Sequence, residues 1–301
     1  MRKRVLLAVL AVAAVALSLL LYLAPPPPRE GVGGLRIAVT FPSLYEDVKA
    51  LLCEGDAVVS IAPPGVDPHE YQLSPKDVEL LKSSNLIVST GHAPFEERIA
   101  EMASRGELEG VLVVIPELPG LRIAKNPATG LPNLHMPIYD PENFRVFLKL
   151  LVEAMVKLRP GCAEVYRARE KAVEEEVARL MLQAPRLNTS AVALSPVVQY
   201  AVEWMGVRVK YLLIKEHDLP ASPEDIAAVE RALSRGEVAL IVSVAGREDT
   251  PLGRKASELA SKYGVPIIYV PSGDAPQSTL SKIKQAVEEV GKVAGRIGAG
   301  G

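Results

Sequence analysis

Eight short apolar runs rich in β-branched residues, arranged as two sets of four, constrain this chain more than any other feature. The first set is "RIAVTF" (36–41), "AVVSI" (57–61), "LIVST" (86–90) and "VLVVIP" (111–116). The second is "SAVAL" (190–194), "VRVKYLL" (207–213), "VALIVSV" (238–244) and "VPIIYV" (265–270). A strand with one wet face alternates apolar and polar residues, whereas a strand covered on both faces of a parallel sheet is apolar throughout. Parallel neighbours need a crossover, and segments with helical apolar spacing lie between the runs: "SLYEDVKALL", "SPKDVELLKSS" and "APFEERIAEMAS" in the first set. In the second set they fall near 196–204, 223–234, 252–263 and 278–297, where Leu280, Ile283, Val287, Val290, Ala294 and Ile297 form a core-facing stripe. "SPKD" and "SPED" each offer a serine N-cap followed by proline at the first helical position. The expected fold class is α/β: two Rossmann-like (βα)4 lobes with parallel sheets and right-handed crossovers.

Two helices separate the sets. One covers 142–158 and is ended by "RPG" at 159–161; the other covers 162–183 and is expected to be ~33 Å long, enough to reach both lobes. Lys171–Glu175 and Glu175–Arg179 are favourable i,i+4 pairs on its exposed side. The predicted organisation is a segment 1–24, a linker 25–34, a first lobe 35–158, a linking helix 159–184 and a second lobe 185–301.

The first segment reads as a targeting element. "MRKR" precedes twenty uncharged residues from Val5 to Ala24, the length of a membrane-spanning helix. The basic cluster stays cytoplasmic, which puts the rest of the chain outside the cytoplasm. An uncleaved anchor in the cell membrane is expected, and "PPPPRE" followed by "GVGG" reads as a stiff and then a flexible spacer. Beyond residue 29 the chain holds 30 basic and 36 acidic side chains, so no basic surface for nucleic acid is expected. Outside the cytoplasm Cys53 and Cys162 are free to form a disulfide, or to stand as two half-buried thiols.

All four histidines follow predicted strands, at the sheet ends where open α/β folds bind ligands. His69 follows the second run on the proline-stiffened turn "APPGVDPHEYQLSP", where Asp67 or Glu70 can hold its second ring nitrogen. His92 follows the third run, as a ligand, an outer-shell group or a surface residue. His135 lies in "LPNLHMPIYDPENF" after the fourth, and His217 in "KEHD", where a solvated loop is the simpler reading. The acidic groups Glu96–Glu97 and Glu174–Glu176 read as solvated helix faces.

"PPGVDPHEYQLSPKDVELLKSSNLIVSTG" resembles the signature of the metal-binding solute-binding proteins of ABC transporters, the zinc and manganese family. "LPNLHMPIYDPENF" and "HDLPASPEDIAAVERAL" resemble two further segments of that family, and the likeness runs from about residue 36 to 290. The resemblance implies two lobes joined by a long helix and a metal cleft between them. It implies His69 and His135 as ligands from the first lobe. The second lobe departs from the pattern: "SPVVQYAVEWMG" puts Ser195 where the family carries its third ligand, and Asp274 in "YVPSGDAP" is offset from the fourth. A hydroxyl is a poor zinc ligand, so Asp274, His217 and His92 are the candidates to complete the sphere.

The function implied is capture of a divalent transition metal, Zn2+ or Mn2+, by a monomer that delivers it to an ABC permease and its ATPase. A second reading keeps the fold and binds an organic solute or a metal chelate; aromatic content of 5% argues against sugar. A metal-dependent hydrolase needs a base, and Glu70 is the one neighbour to nominate. The chain shows no nucleophile elbow and no HExxH, and "GVGG" precedes a strand, the wrong order for a dinucleotide loop.

Overall fold

The apolar runs become strands, and their burial follows their place in the sheet. In the computed structural model, which describes residues 33–67, 69–216 and 219–298, the first sheet contains β1 (Arg36–Val39), β2 (Ala57–Ser60), β3 (Leu86–Ser89) and β4 (Val111–Val114). All are parallel, in the order β2-β1-β3-β4. Central β3 is buried at every position, while edge β2 keeps one residue in four fully buried. The second sheet contains β5 (Thr189–Ala193), β6 (Val207–Leu212), β9 (Leu240–Val244) and β10 (Ile267–Val270), also parallel, in the order β10-β9-β5-β6. Counted within each lobe, both sheets are wired second-first-third-fourth. A two-stranded antiparallel hairpin, β7 (Ile214–Glu216) with β8 (Leu219–Pro220), projects beyond the second sheet. The apolar pattern did not reveal it, because β7 continues directly from the β6 run.

The helices follow the expected crossovers: α1 (Pro42–Lys49), α2 (Pro75–Ser83) and α3 (Pro94–Ser104) in the first lobe, and α6 (Gln199–Glu203), α7 (Pro223–Ser234), α8 (Pro251–Tyr263) and α9 (Thr279–Gly298) in the second. Ser74 and Ser222 close capping boxes with Asp77 and Asp225, so both serine-proline starts form as read. Between the lobes run α4 (Pro141–Leu158) and α5 (Ala163–Gln183). Helix α4 buries Phe144, Phe147, Leu148, Leu151 and Met155 at three- and four-residue steps; loss of one such phenylalanine to alanine costs ~3–5 kcal/mol. One continuous core joins β1 and β3, α4, α5 and the whole second sheet, and a second, smaller cluster packs on the other face of the first sheet. Residues Gly34–Gly301 accordingly form one compact unit.

Cys53 and Cys162 are joined as a disulfide across 109 residues. Closing a loop of that length removes unfolded-chain entropy worth about 4–5 kcal/mol. The bond ties the end of α1 to the start of α5, so the first lobe alone is stapled to the linking helix. The expected anchor at 1–24 and His217 lie outside the described residues. No helix among the described residues is long and apolar enough to cross a membrane.

Candidate metal centre

The chain folds His69 into place through its neighbours. Asp67 accepts the His69 backbone N–H at 2.8 Å through Oδ1, while its own carbonyl accepts from Glu70 and Tyr71. Asp67, one of the two carboxylates expected to steady the imidazole, thus shapes the backbone turn that carries His69. Tyr71 closes the loop by donating to Asp77 Oδ2 at 2.8 Å, the same oxygen that holds the Ser74 cap. Turn, tyrosine and helix start form one hydrogen-bonded unit, which explains why aspartate, tyrosine, serine and aspartate recur through this stretch.

His92 is fixed by a buried carboxylate. Glu96 is 2% exposed, contrary to its reading as a solvated helix face; Glu97 beside it is exposed. Glu96 is the third residue of α3, where it turns back to accept from the backbone N–H groups of Thr90, His92 and Ala93 and from the hydroxyls of Ser89 and Thr90. Burial alone would raise its pKa, but His92 and the hydrogen bonds from Thr40, Thr90 and Ala93 outweigh that and hold it below the ordinary value. The Glu96 carboxylate is thus ionised and only accepts. Thr90 gives its one hydroxyl proton to Glu96 Oε2 at 2.7 Å, so toward His92 Nδ1, 3.1 Å away, it acts as acceptor. His92 therefore carries its hydrogen on Nδ1 and leaves Nε2 with a free lone pair. Its pKa is lowered, chiefly by burial and further by His69, against the pull of Glu96 and Asp274, so the ring is neutral.

His135 obeys the same logic. Asn133 is fully buried, and its Nδ2 donates to Pro196 O at 3.0 Å and Gln199 Oε1 at 2.8 Å. That orients Asn133 Oδ1 as acceptor for both the backbone N–H and Nδ1 of His135, each at 3.0 Å. His135 Nδ1 carries the hydrogen, and Nε2 faces the carboxylate of Glu216 at 3.8 Å. A divalent cation seated between an imidazole nitrogen and a carboxylate oxygen is attracted to both. Glu216, the last residue of β7, is held by Asn126, which donates to its Oε1 at 2.6 Å. The sequence offered it only as part of "KEHD", a segment read as a solvated loop.

These elements converge. Ligand atoms of His69, His92 and His135 all lie within 4.8 Å of one another. Ring centroids of His69 and His92 are 5.7 Å apart, and those of His92 and His135 5.1 Å. For three atoms at that spacing some point lies within ~2.8 Å of all of them, and inward shifts of at most ~0.7 Å give zinc–imidazole bond lengths. His92, read as ligand, outer-shell group or surface residue, stands in the cluster with the two histidines of the resemblance. The signal that marks it is Thr90-x-His92 followed by a glutamate at the third position of a helix.

The cluster lines a cavity of about 620 Å³ between the lobes, together with Ser195, Arg247, Ser272 and Asp274 from the second lobe. Ser195 accepts no cap hydrogen bond at the turn it begins. Asp274 Oδ1 accepts from the hydroxyl of Ser272, and its charge acts on His92.

The chain matches the profile of the family described as zinc-uptake complex component A, periplasmic, over residues 37–290. The iron-binding protein YfeA of Yersinia pestis is 24% identical over 289 residues, 90% of this chain and 89% of its own length. The zinc-binding protein TroA of Treponema pallidum is 26% identical over 150 residues, 49% of this chain and 47% of its own. Among solved structures, the solute-binding protein FpvC of Pseudomonas aeruginosa in complex with Mn2+ superposes with a TM-score of 0.70 at 19% identity, over 89% of this chain and all of that one. The periplasmic zinc-binding protein TroA of Treponema pallidum gives 0.67 at 18% identity, over 87% and 99%. At such identities the structural likeness shows the shared two-lobed fold. With the profile spanning nearly all of both lobes, the chain belongs to the family of periplasmic zinc-uptake component A proteins.

Proposed function

We propose that this chain captures a divalent transition metal, Zn2+ or Mn2+, in the cleft between its lobes and passes it to an ABC permease and ATPase in the same membrane. The ligands proposed are Nε2 of His92 and His135 and one imidazole nitrogen of His69, completed by a carboxylate of the second lobe, Asp274 or Glu216. The observation that carries this reading is the convergence of three imidazoles, two with the hydrogen locked on Nδ1 by Thr90 and Asn133. A ring held through Nδ1 in this way has its tautomer and orientation set, as metal-ligating histidines do. Neutral imidazole with carboxylate suits zinc and tolerates manganese. Family membership and the names of the similar proteins support a transition metal as cargo. We assign the lobes to 35–158 and 185–301, the linking helix to 159–184, and 1–24 with its linker 25–34 to a membrane anchor that leaves a monomeric binding domain outside the cytoplasm. Capture and release need no bond made or broken in a substrate, so no turnover is expected.

The test is the full chain, purified in detergent without chelators or metal-affinity tags, with bound elements measured beside His69→Ala, His92→Ala and His135→Ala. One metal per chain, lost in all three variants, is the expected outcome. If no metal is bound and neither Zn2+ nor Mn2+ shifts the melting temperature, the reading fails in favour of an organic solute or preformed chelate. His217, whose neighbour Glu216 reaches His135, is probed by the same assay as a further ligand.

A further inference from the structure

The face of α9 that packs inward carries a charge. Thr279, Lys282, Ile283, Ala286, Val290 and Val293 are buried along it, and Lys282 is 1% exposed. An ammonium taken out of water costs several kcal/mol unless it is paired and hydrogen-bonded. Its Nζ donates to Gly273 O at 2.6 Å and to Ala275 O at 3.1 Å, the two carbonyls that flank Asp274. Two carboxylates act on the ammonium: first Asp47, 3% exposed, on α1 of the opposite lobe, and then Asp274 itself. Asp47 also accepts Thr279 N–H at 2.8 Å and Thr279 Oγ1–H at 2.6 Å, and so caps α9 from across the interface. Two more first-lobe groups grip the same loop. Tyr139 donates to Pro271 O at 3.0 Å, and a Cβ on Gly273 would stand 2.8 Å from Met136 Cβ, so only glycine permits that approach.

We propose that Lys282, compensated by Asp47, is a positioning residue that fixes the Asp274 backbone from behind so that the carboxylate points at the imidazole cluster. This rests on the reading of Asp274 as a metal ligand. The lysine bonds to the carbonyls on either side and makes no hydrogen bond to the Asp274 carboxylate, which stays available for a cation. Because Asp47 belongs to the first lobe, any opening that draws α1 from α9 removes the larger of the two carboxylate charges acting on the ammonium and loosens the loop. Metal grip by the second lobe is thereby coupled to lobe closure.

The experiment is a double-mutant cycle on Zn2+ affinity, measured by chelator competition on the full chain, with thermal stability recorded in parallel. Lys282→Met keeps the length of the side chain and removes the charge. It is expected to weaken binding by ~10–100-fold, the usual cost of losing an outer partner. Asp274→Ala is expected to weaken binding by at least as much, and Lys282→Met to add nothing in the Asp274→Ala background. A purely structural lysine would instead lower affinity equally in both backgrounds, and that result overturns the proposal. So does wild-type affinity in Lys282→Met when Asp274→Ala binds weakly. Where Lys282→Met fails to fold, Tyr139→Phe removes the hydroxyl that donates to Pro271 O at 3.0 Å and to the Lys282 backbone carbonyl at 3.4 Å. Its smaller loss must likewise vanish in the Asp274→Ala background, and persistence there overturns the proposal. Should Asp274→Ala itself bind Zn2+ as the wild type does, the ligand reading fails first and the positioning role falls with it.

Discussion

The two lobes share one wiring and differ in what they hang from it. Both sheets run second-first-third-fourth, and both send their strand ends into the same cavity. After β2, β3 and β4 the chain places His69, His92 and His135; after β5, β9 and β10 it places Ser195, Arg247 and Asp274. The first lobe thus offers three imidazoles whose ligand atoms already lie together. The second offers hydroxyls, a guanidinium and two carboxylates, Asp274 and Glu216. Duplicated topology fixes where functional side chains can stand, and the loops decide which chemistry stands there. The candidate site is accordingly lopsided, with the imidazoles gathered on one wall of the cavity and hydroxyl, guanidinium and carboxylate groups on the other.

This asymmetry is joined by a reciprocal arrangement of supports. The loop bearing His135 is held by the second lobe, where Asn133 bonds to Pro196 and Gln199 and Tyr200 donates to Asn133 O at 2.6 Å. The loop bearing Asp274 is held by the first lobe through Tyr139 and Met136, and through Asp47 acting on α9. Each lobe holds the loop that carries a cavity-lining side chain of its neighbour, His135 or Asp274, so the relative placement of the lobes and the geometry of the cavity are linked.

The largest effect expected from breaking the comparison is on the imidazole side. His69→Ala, His92→Ala and His135→Ala should each lose more affinity than the ~10–100-fold that removal of an outer partner costs, read as metal per chain and by chelator competition. A loss confined to His69 and His135 would return His92 to the outer shell and make the site two-sided again. Acidification should empty the site as well, because imidazole binds metal only when deprotonated.

Next in size is the interface. Burial holds the Asp47 carboxyl up at about 6 against 3.8, with Lys282 and Thr279 pulling the other way. A carboxyl with a raised folded pKa favours the protonated fold, so its contribution is fully present below about 3.8 and lost as pH rises through about 6. Wild type should therefore lose about 2 kcal/mol of unfolding free energy relative to Asp47→Asn between pH 4 and pH 7. Denaturant melts of both proteins at the two pH values read this directly; parallel pH profiles would remove Asp47 from the account. The buried lysine on the same face shifts the other way, its pKa lowered to about 8 chiefly by burial, and adds a separate rise in stability above that pH.

Thr90→Val comes third. It keeps the volume, deletes the hydroxyl between Glu96 and His92 Nδ1, and frees the ring to adopt the wrong tautomer. A loss of ~10–100-fold in metal affinity is expected, and Thr90→Ser should restore most of it. Equal losses in both variants would mean that packing of the methyl group, not the hydrogen bond, positions His92.

These contrasts also separate what the sequence made legible from what it did not. The central strands were legible because burial on both faces leaves an unbroken apolar run, and the serine-proline starts because a capping box is local. His69 and His135 were legible through a recurring motif. His92 was left among several possibilities because its role depends on Glu96, and an acidic pair at a helix start looks alike whether it points to solvent or folds back. Only the N3 position, three residues after the N-cap, distinguishes Glu96 from Glu97. Lys282 escaped for a related reason. It lies on the buried stripe of Thr279, Ile283, Ala286 and Val290, but its partner Asp47 is far away in sequence. Long-range charge compensation leaves no periodic signature.

The smallest effect is the one that most sharpens the comparison. If the second lobe contributes no ligand at Ser195, Ser195→Ala should bind Zn2+ within about twofold of wild type, a difference of ~0.4 kcal/mol. The hydroxyl caps nothing in its own turn, so its removal leaves no orphaned backbone donor to complicate the reading. A tenfold loss would mean that the hydroxyl reaches the ion, directly or through a bound water, and that the site is shared between lobes. The complementary change, Ser195→His, places a fourth imidazole on the opposite wall of the cavity. In a one-sided site with an incomplete sphere it should tighten Zn2+, because imidazole is a better zinc ligand than a hydroxyl. It should do so more for Zn2+ than for Mn2+, which is the weaker partner for a nitrogen donor set. Unchanged affinity for both ions would show that a carboxylate of the second lobe already closes the sphere.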